Sequence, residues 1–176
     1  IASSAGHVAG YTNLIMVTSA LQGDGKTFSS INLAISIAME QDKTVLFVDA
    51  DVVRATAGRI LGVAKGTAGL TDLLAEGSTL DPSDVIRHTN IDKLRILPAG
   101  NASDTSTELL ASDAMHDLMI ELSNRYSDRV IVFDSPPLLL TTEAAVLASF
   151  MGQIVFVASA DITPQHAVPV SYTHLT

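Results

Sequence analysis

SALQGDGKTFSS, residues 19–30, lies between a short apolar run, LIMVT (14–18), and a stretch of helical spacing, INLAISIAME (31–40). Its Gly-Lys-Thr closes the pattern of a phosphate-cradling loop, G-x-x-x-x-G-K-[ST], although Ala20 stands where the first glycine is usual. A strand before and a helix after is the context that this motif requires. Gly23 and Gly25 let the backbone bend until successive N–H groups face one hollow. The helix that starts at the loop adds its N-terminal dipole. Lys26 offers a full positive charge to β and γ phosphates, and the Thr27 hydroxyl suits Mg²⁺. On this reading Gly23, Asp24, Gly25, Lys26, Thr27 and Phe28 form the nucleotide-binding stretch, and a small residue at position 20 still fits. The competing reading is a glycine turn with a chance Gly-Lys-Thr.

The rest of the chain extends the same alternation. From Thr27, Ile31, Ala34, Ile35 and Ala38 recur at three- and four-residue spacing, which predicts a helix. TVLFVDAD (44–51), RVIVFDSPP (129–137) and QIVFVAS (153–159) read as buried strands, and KLRILPAG (93–100) as a strand that breaks into a loop. ATAGRILG (55–62) and GLTDLLAEG (69–77) read as short helices closed by glycine, and TEAAVLASF (142–150) as a further helix. SDAMHDLMIELSNRY (112–126) is amphipathic, with Met115, Leu118, Met119 and Leu122 inward. Strands alternating with helices imply an α/β fold of the P-loop NTPase type, a mainly parallel sheet with helices on both faces. Ligands of such sheets gather at the carboxyl ends of the strands. The loop after Thr18, Asp49 and Asp51 after Val48, and Asp134 after Phe133 all fall there. Alternation puts Asp49 and Asp51 on one side of the chain, while Asp134 takes the place of a second metal-associated acid. Taken singly, each acid could equally be a helix cap or a solvated loop residue.

Bulk properties set limits. The 176 residues suffice for one domain with a sizeable core, and 47% hydrophobic against 16% charged residues is a globular composition. A net charge of −9 argues against nucleic acid or acidic lipid as a partner, so a phosphate site must gather positive potential locally. With no cysteine, disulfides and thiolate metal sites are excluded. No apolar run approaches the roughly 18–20 residues that span a bilayer. The first residue is not Met, and the chain reads as a piece of something longer.

SALQGDGKT, VLFVDADVVR and VIVFDSPPLLLTTEA together resemble the Walker A, Walker A′ and Walker B motifs of bacterial tyrosine kinases, the kinase domains of polysaccharide co-polymerases. NLIMVTSA, INLA, RILPAG, TELLAS and MGQIV resemble the exosortase-associated autokinase branch. The resemblance runs over about residues 12–168. It implies ATP and Mg²⁺ as cofactors and a tyrosine autokinase that regulates polysaccharide polymerisation and export. It implies that Lys26 and Thr27 hold phosphates and Mg²⁺, that Asp51 and Asp134 position Mg²⁺, and that Asp49 is the base or orienting acid for the tyrosine hydroxyl. The catalytic set is then Lys26, Asp49 and Asp51, and the metal set Thr27, Asp51 and Asp134. A transmembrane co-polymerase or chain-length regulator, fused or separate, is the implied partner. Homo-oligomerisation in the complete protein and a place at the inner face of the plasma membrane follow from the same resemblance.

Departures from the family pattern are visible. Leu21 stands where partition-type ATPases carry their signature lysine, which speaks against a hydrolytic assembly ATPase. Val53 and Ala55 replace the usual Arg and Pro, so that the arginine of the second motif is shifted by one, to Arg54. Neither an oligomerisation helix nor a tyrosine cluster is present, and Tyr11 falls in the linker. A partition-type ATPase and a nucleotide-gated scaffold without turnover remain the alternatives. Residues 1–13 read as a linker remnant, 14–168 as the kinase/ATPase domain, and 169–176, PVSYTHLT, as a sequence artefact resembling a translated sequencing adapter. His7, His88, His116 and His166 lack metal-ligand spacing, and Ser135 lacks a nucleophile elbow.

Overall fold

The apolar runs become neighbouring strands of a single sheet. The computed structural model describes residues 11–160, 163, 164 and 166–173. Strand β1 (Tyr11–Ser19) leads through the glycine loop into α1 (Lys26–Met39), and β2 (Thr44–Asp49) follows. Four short elements come next: α2 (Thr56–Ile60), α3 (Leu70–Leu74), α4 (Pro82–Val85) and β3 (Arg87–His88). Then come β4 (Leu94–Leu97), α5 (Ser106–Leu109), α6 (Asp113–Arg125), β5 (Arg129–Asp134), α7 (Thr142–Ala148), β6 (Met151–Val157) and α8 (Ala167–Thr173). The sheet order is β3-β4-β2-β5-β1-β6, and every pairing is parallel except that of β3 with β4.

Two cores lie on opposite faces of this sheet, as strand alternation requires. On one face Leu14, Met16, Leu46, Ile131 and Phe133 pack with Met115, Met119 and Leu122 of α6 and with Leu147 of α7. On the other Val17, Phe47 and Val132 pack with Ile31, Ala34 and Ala38 of α1. The inward positions expected of both helices are buried except Ile35, which is partly buried against the second core. Phe47 and Phe133, fully buried, are the bulkiest of these side chains; burying each contributes roughly 1.5–3 kcal/mol. Local chemistry sets several helix starts: Ser112 Oγ accepts from Met115 N at the head of α6, and Asp81 accepts from Ser83 N ahead of Pro82 in α4.

Some boundaries differ from the expectation. The first strand begins at Tyr11, not Leu14, so the linker does not reach residue 13. Tyr11 stands opposite Met151 in the sheet, and the Asn13 side-chain amide donates to Ser123 O, Tyr126 O and Arg129 O, each at 3.3 Å. That polar residue looks like linker in sequence, yet it ties β1 to carbonyls at the end of α6. Residues 1–10, His7 among them, lie outside the described residues. The segment read as an artefact overlaps α8, which runs to Thr173, and residues 174–176 lie outside the described ones. The short elements α4, β3 and α5 had no periodic signal to announce them.

Candidate functional site

The loop between β1 and α1 turns at two glycines with positive φ, Gly23 at 92° and Gly25 at 89°. A Cβ at either would meet no neighbour, so it is backbone conformation that favours glycine there. Ala20 is fully buried, and its carbonyl accepts from Leu139 N, which explains why a small residue serves in place of glycine. Gly25 caps α1 without a side-chain hydrogen bond, and the first turn carries no acid. The N–H groups of that turn thus meet no competing carboxylate of their own, the arrangement suited to an anion.

Lys26 is buried, and its ammonium bridges two carboxylates, Asp134 Oδ1 at 2.9 Å and Asp51 Oδ2 at 3.3 Å. Asp134 closes β5, and Asp51 lies two residues past the end of β2. Asp49 and Asp134 are register partners at the carboxyl ends of β2 and β5, and Val17 of β1 stands opposite Asp134 on its other side. Burial raises the Asp134 carboxyl above the ordinary range, with Lys26 opposing. Its Oδ2 is buried and has no hydrogen-bond partner.

Asp49 and Asp51 do not share one side of a strand as expected. The strand ends at Asp49, and the chain then turns, with Arg54 N and Ala55 N both donating to Asp51 O. Ala55 takes the left-handed conformation, φ 46°, where the family pattern has proline. The turn sends the two acids to different places. Asp51 faces Lys26, whereas Asp49 Oδ2 accepts from Gly58 N at the start of α2 at 2.8 Å. Asp49 Oδ1 is left buried without a partner. Burial, more than the neighbouring Asp134 and Asp51, pushes the Asp49 carboxyl up to about 7.

Two cavities open at these acids. The first, about 220 Å³, is lined by Gly23, Gly25, Lys26, Thr27, Phe28, Asp51 and Arg54, with Ser19, Leu21, Gln22, Thr56 and Pro137. The second, about 630 Å³, has Asp49, Arg54, Gly58, Arg59, Lys65 and the loop Pro98–Ala102 in its walls. Arg54 belongs to both. Of the sequence-predicted residues, Gly23, Gly25, Lys26, Thr27, Phe28, Asp51 and Asp134 come together around the loop. Two stand apart: Asp49 lines the second cavity, and the Asp24 carboxylate, which accepts from Leu21 N at 3.0 Å and from Thr163 Oγ1 at 2.7 Å, does not line the first. The Asp24 side chain joins the loop to Thr163. Ser135 is buried and donates to Val17 O. Arg59, Lys65, Gly58 and Thr163 had no motif to mark them; only the scarcity of cations in the chain could have drawn attention to the first two.

Comparison with known proteins bears on the family and the fold. The family described as "AAA domain" matches residues 12–161. The tyrosine-protein kinase etk of Escherichia coli (strain K12) is 34% identical over 163 residues, which is 93% of this chain and 22% of that protein. The crystal structure of the VpsO kinase domain superposes with a TM-score of 0.84 at 33% identity, covering 96% of this chain and 80% of the other. A ParA family ATPase from Chlorobium tepidum TLS shares the fold alone, with a TM-score of 0.64 at 19% identity over 82% of this chain and 60% of that one.

Proposed function

The chain belongs to the AAA-domain family and, within it, to the bacterial tyrosine-kinase domains, a nucleotide-binding lineage, and from that premise we propose that it transfers the γ-phosphoryl group of ATP to protein tyrosine. The observation that carries the proposal is the meeting of two cavities at Arg54, one lined by the phosphate loop and the other by Asp49. A hydrolytic site needs room only for water beside the phosphate, whereas a second, larger cavity suits an incoming side chain.

In this reading the loop N–H groups and Lys26 hold the phosphates. Thr27, Asp51 and Asp134 would hold Mg²⁺. The fit rests on oxygen donors only and on the buried, unpartnered Oδ2 of Asp134. Such a sparse set matches a cation that keeps waters and phosphate oxygens as ligands. When bound, the cation neutralises charge on the transferring phosphoryl group. Asp49 accepts the phenolic proton, which a free tyrosine holds with a pKa near 10. As the tyrosine Oη–P bond forms, the bond from the γ phosphorus to the bridging oxygen breaks and ADP leaves. Leu21, in place of the lysine by which partition-type ATPases are recognised, speaks against the hydrolytic reading.

The wider role is part of the same proposal: autophosphorylation within a homo-oligomer, regulation of polysaccharide polymerisation and export, and a transmembrane co-polymerase as partner at the cytoplasmic membrane face. The stretch matched here is 22% of the relative etk, so these properties belong to the whole protein. Among the described residues no helix is long and apolar enough to cross a membrane. The test is incubation with γ-labelled ATP and Mg²⁺ beside a Lys26→Ala control. Label on tyrosine that disappears in the control is expected. Free phosphate without labelled protein would instead establish an ATPase.

A further inference from the structure

The larger cavity is cationic in a chain that is not. The sequence has ten Lys and Arg against nineteen Asp and Glu, yet Arg54, Arg59 and Lys65 all line this one cavity. The acid among its lining residues is Asp49, which is buried, whereas the three cations are exposed. Among the described residues none of the three makes an ion pair; the surface pairing of the chain is spent elsewhere, on Arg125 with Asp81 and Glu121. Three unpaired cations close together repel one another, and an anion between them relieves that repulsion.

The opposite wall is held in place. Gly100, φ 91°, and Asn101 are fixed by Asp72, whose carboxylate accepts from Asn101 N, Asn101 Nδ2 and Gly69 N. The cavity volume, about 630 Å³, lies within the roughly 300–1,000 Å³ of ordinary ligand sites. At its inner end Asp49 Oδ1, buried and without a hydrogen-bond partner, lacks the one donor that a tyrosine hydroxyl would supply.

We propose that this cavity is the acceptor subsite and that Arg54, Arg59 and Lys65 select tyrosines flanked by anionic side chains, carboxylate or phosphate. The inference rests on the kinase reading above and adds the substrate class to it. The field of the whole chain, at net −9, disfavours an anionic peptide at a distance, so the three cations must reverse that field locally. Arg54, common to both cavities, faces the flanking anion on one side and the phosphate cleft on the other. The reaction itself is unchanged: phosphorus moves from the bridging oxygen to the tyrosine Oη, and the phenolic proton goes to Asp49.

The experiment uses the full chain with γ-labelled ATP, Mg²⁺ and four peptides of equal length, in which one tyrosine is flanked by Glu, by phosphotyrosine, by Ala or by Lys. The Glu- and phosphotyrosine-flanked peptides separate the two sources of negative charge. The expected kcat/KM for at least one of them exceeds that of the Lys-flanked peptide about tenfold, as complementary charge at an interface allows. The preference shrinks as ionic strength rises from about 0.05 to about 0.5 M. In a double Arg59→Glu, Lys65→Glu variant the ranking inverts toward the Lys-flanked peptide, an outcome that misfolding cannot produce. If that variant does not fold, single Arg59→Gln and Lys65→Gln variants give the same comparison through a reduced ratio. Equal labelling of all four peptides, or a preference that the variants leave untouched, overturns the acceptor subsite and leaves the kinase reading standing. Label on the chain's own tyrosines with no peptide labelled overturns the subsite alone, and ATP turnover with no labelled tyrosine on peptide or chain sinks both.

Discussion

Asp49 and Lys26 show how burial decides the behaviour of single residues. The Asp49 carboxyl titrates near 7 when folded and near 3.8 when unfolded, so the folded chain keeps a proton that the unfolded chain loses between those values. The stability from this group is therefore complete below about pH 4 and lost as pH rises through 7. An Asp49→Asn variant is expected to gain on the order of 2–4 kcal/mol over the parent at pH 8, and little at pH 4, in urea unfolding with chelator present. The same variant is expected to lose phosphoryl transfer by about 10²–10⁴-fold. A variant more stable and less active at pH 8 is the signature; equal stability at both pH values would remove the buried charge from the account. Lys26 makes a different prediction. Its ammonium is engaged by Asp51 and Asp134, so phosphates alone must break two buried ion pairs to recruit it. A divalent cation that takes over those carboxylates frees the lysine. Nucleotide and Mg²⁺ are expected to bind with reciprocal positive coupling of about 1–3 kcal/mol, read by calorimetric titration of ATP with and without the cation, and of Mg²⁺ with and without ATP. Independent affinities would show that Lys26 does not change partners.

At the scale of elements, the site was legible wherever a motif sat on a regular run. SALQGDGKT between an apolar run and a helical one, and two strands ending in Asp, announced the loop, the acids and the parallel sheet, because hydrophobic period and glycine geometry are local properties. The turn after β2 was not legible in the same way. DADVV alternates on paper, but the strand ends at Asp49, a turn closes on Asp51 O, and the two acids take different partners, Lys26 for Asp51 and Gly58 N for Asp49. Asn13 was misread, and the partner of Asp24 was not foreseen, for a related reason, since polar residues among small ones give no sign of distant partners such as Arg129 O or Thr163. The loop behind the larger cavity is tied to α3 by Leu70 N on Pro98 O, Thr71 N on Ala99 O, Thr71 Oγ1 on Asn101 O and the Asp72 carboxylate. Although partial burial works the other way, hydrogen bonds from Asn101 and Gly69 hold the Asp72 carboxyl below the usual range. Its contribution is present above the unfolded carboxylate pKa and is lost as pH falls through the depressed folded one. Asp72→Ala is expected to cost about 1–3 kcal/mol at pH 7 and less in acid, measured by thermal unfolding. Gly69 is the steric counterpart: a Cβ there would fall on Pro98 O and Gly100 N, so Gly69→Ala is expected to displace the same loop at any pH.

Across the whole molecule, the charge asymmetry is the property least visible to motif reading. Arg59 and Lys65 belong to no signature, and only the fold brings them to Arg54 and Asp49. The sheet order adds a consequence of another kind. β2, β5 and β1, which end in or lead to every acid and the phosphate loop, are the consecutive strands β2-β5-β1, with β4 and β3 beyond one side and β6 beyond the other. Backbone amides of such central strands exchange with solvent only in the largest openings, whereas peripheral segments open locally. Deuterium uptake is thus expected to be slowest in Val45–Asp49, Ile131–Asp134 and Met16–Ser19, and faster in β3 and β6. Slow exchange at the periphery with fast exchange in those three would contradict it. The chemistry then rides on the part of the chain that keeps its shape longest. Sequence drift and fluctuation along the rim can alter what docks there without disturbing the distances at which a phosphate is held.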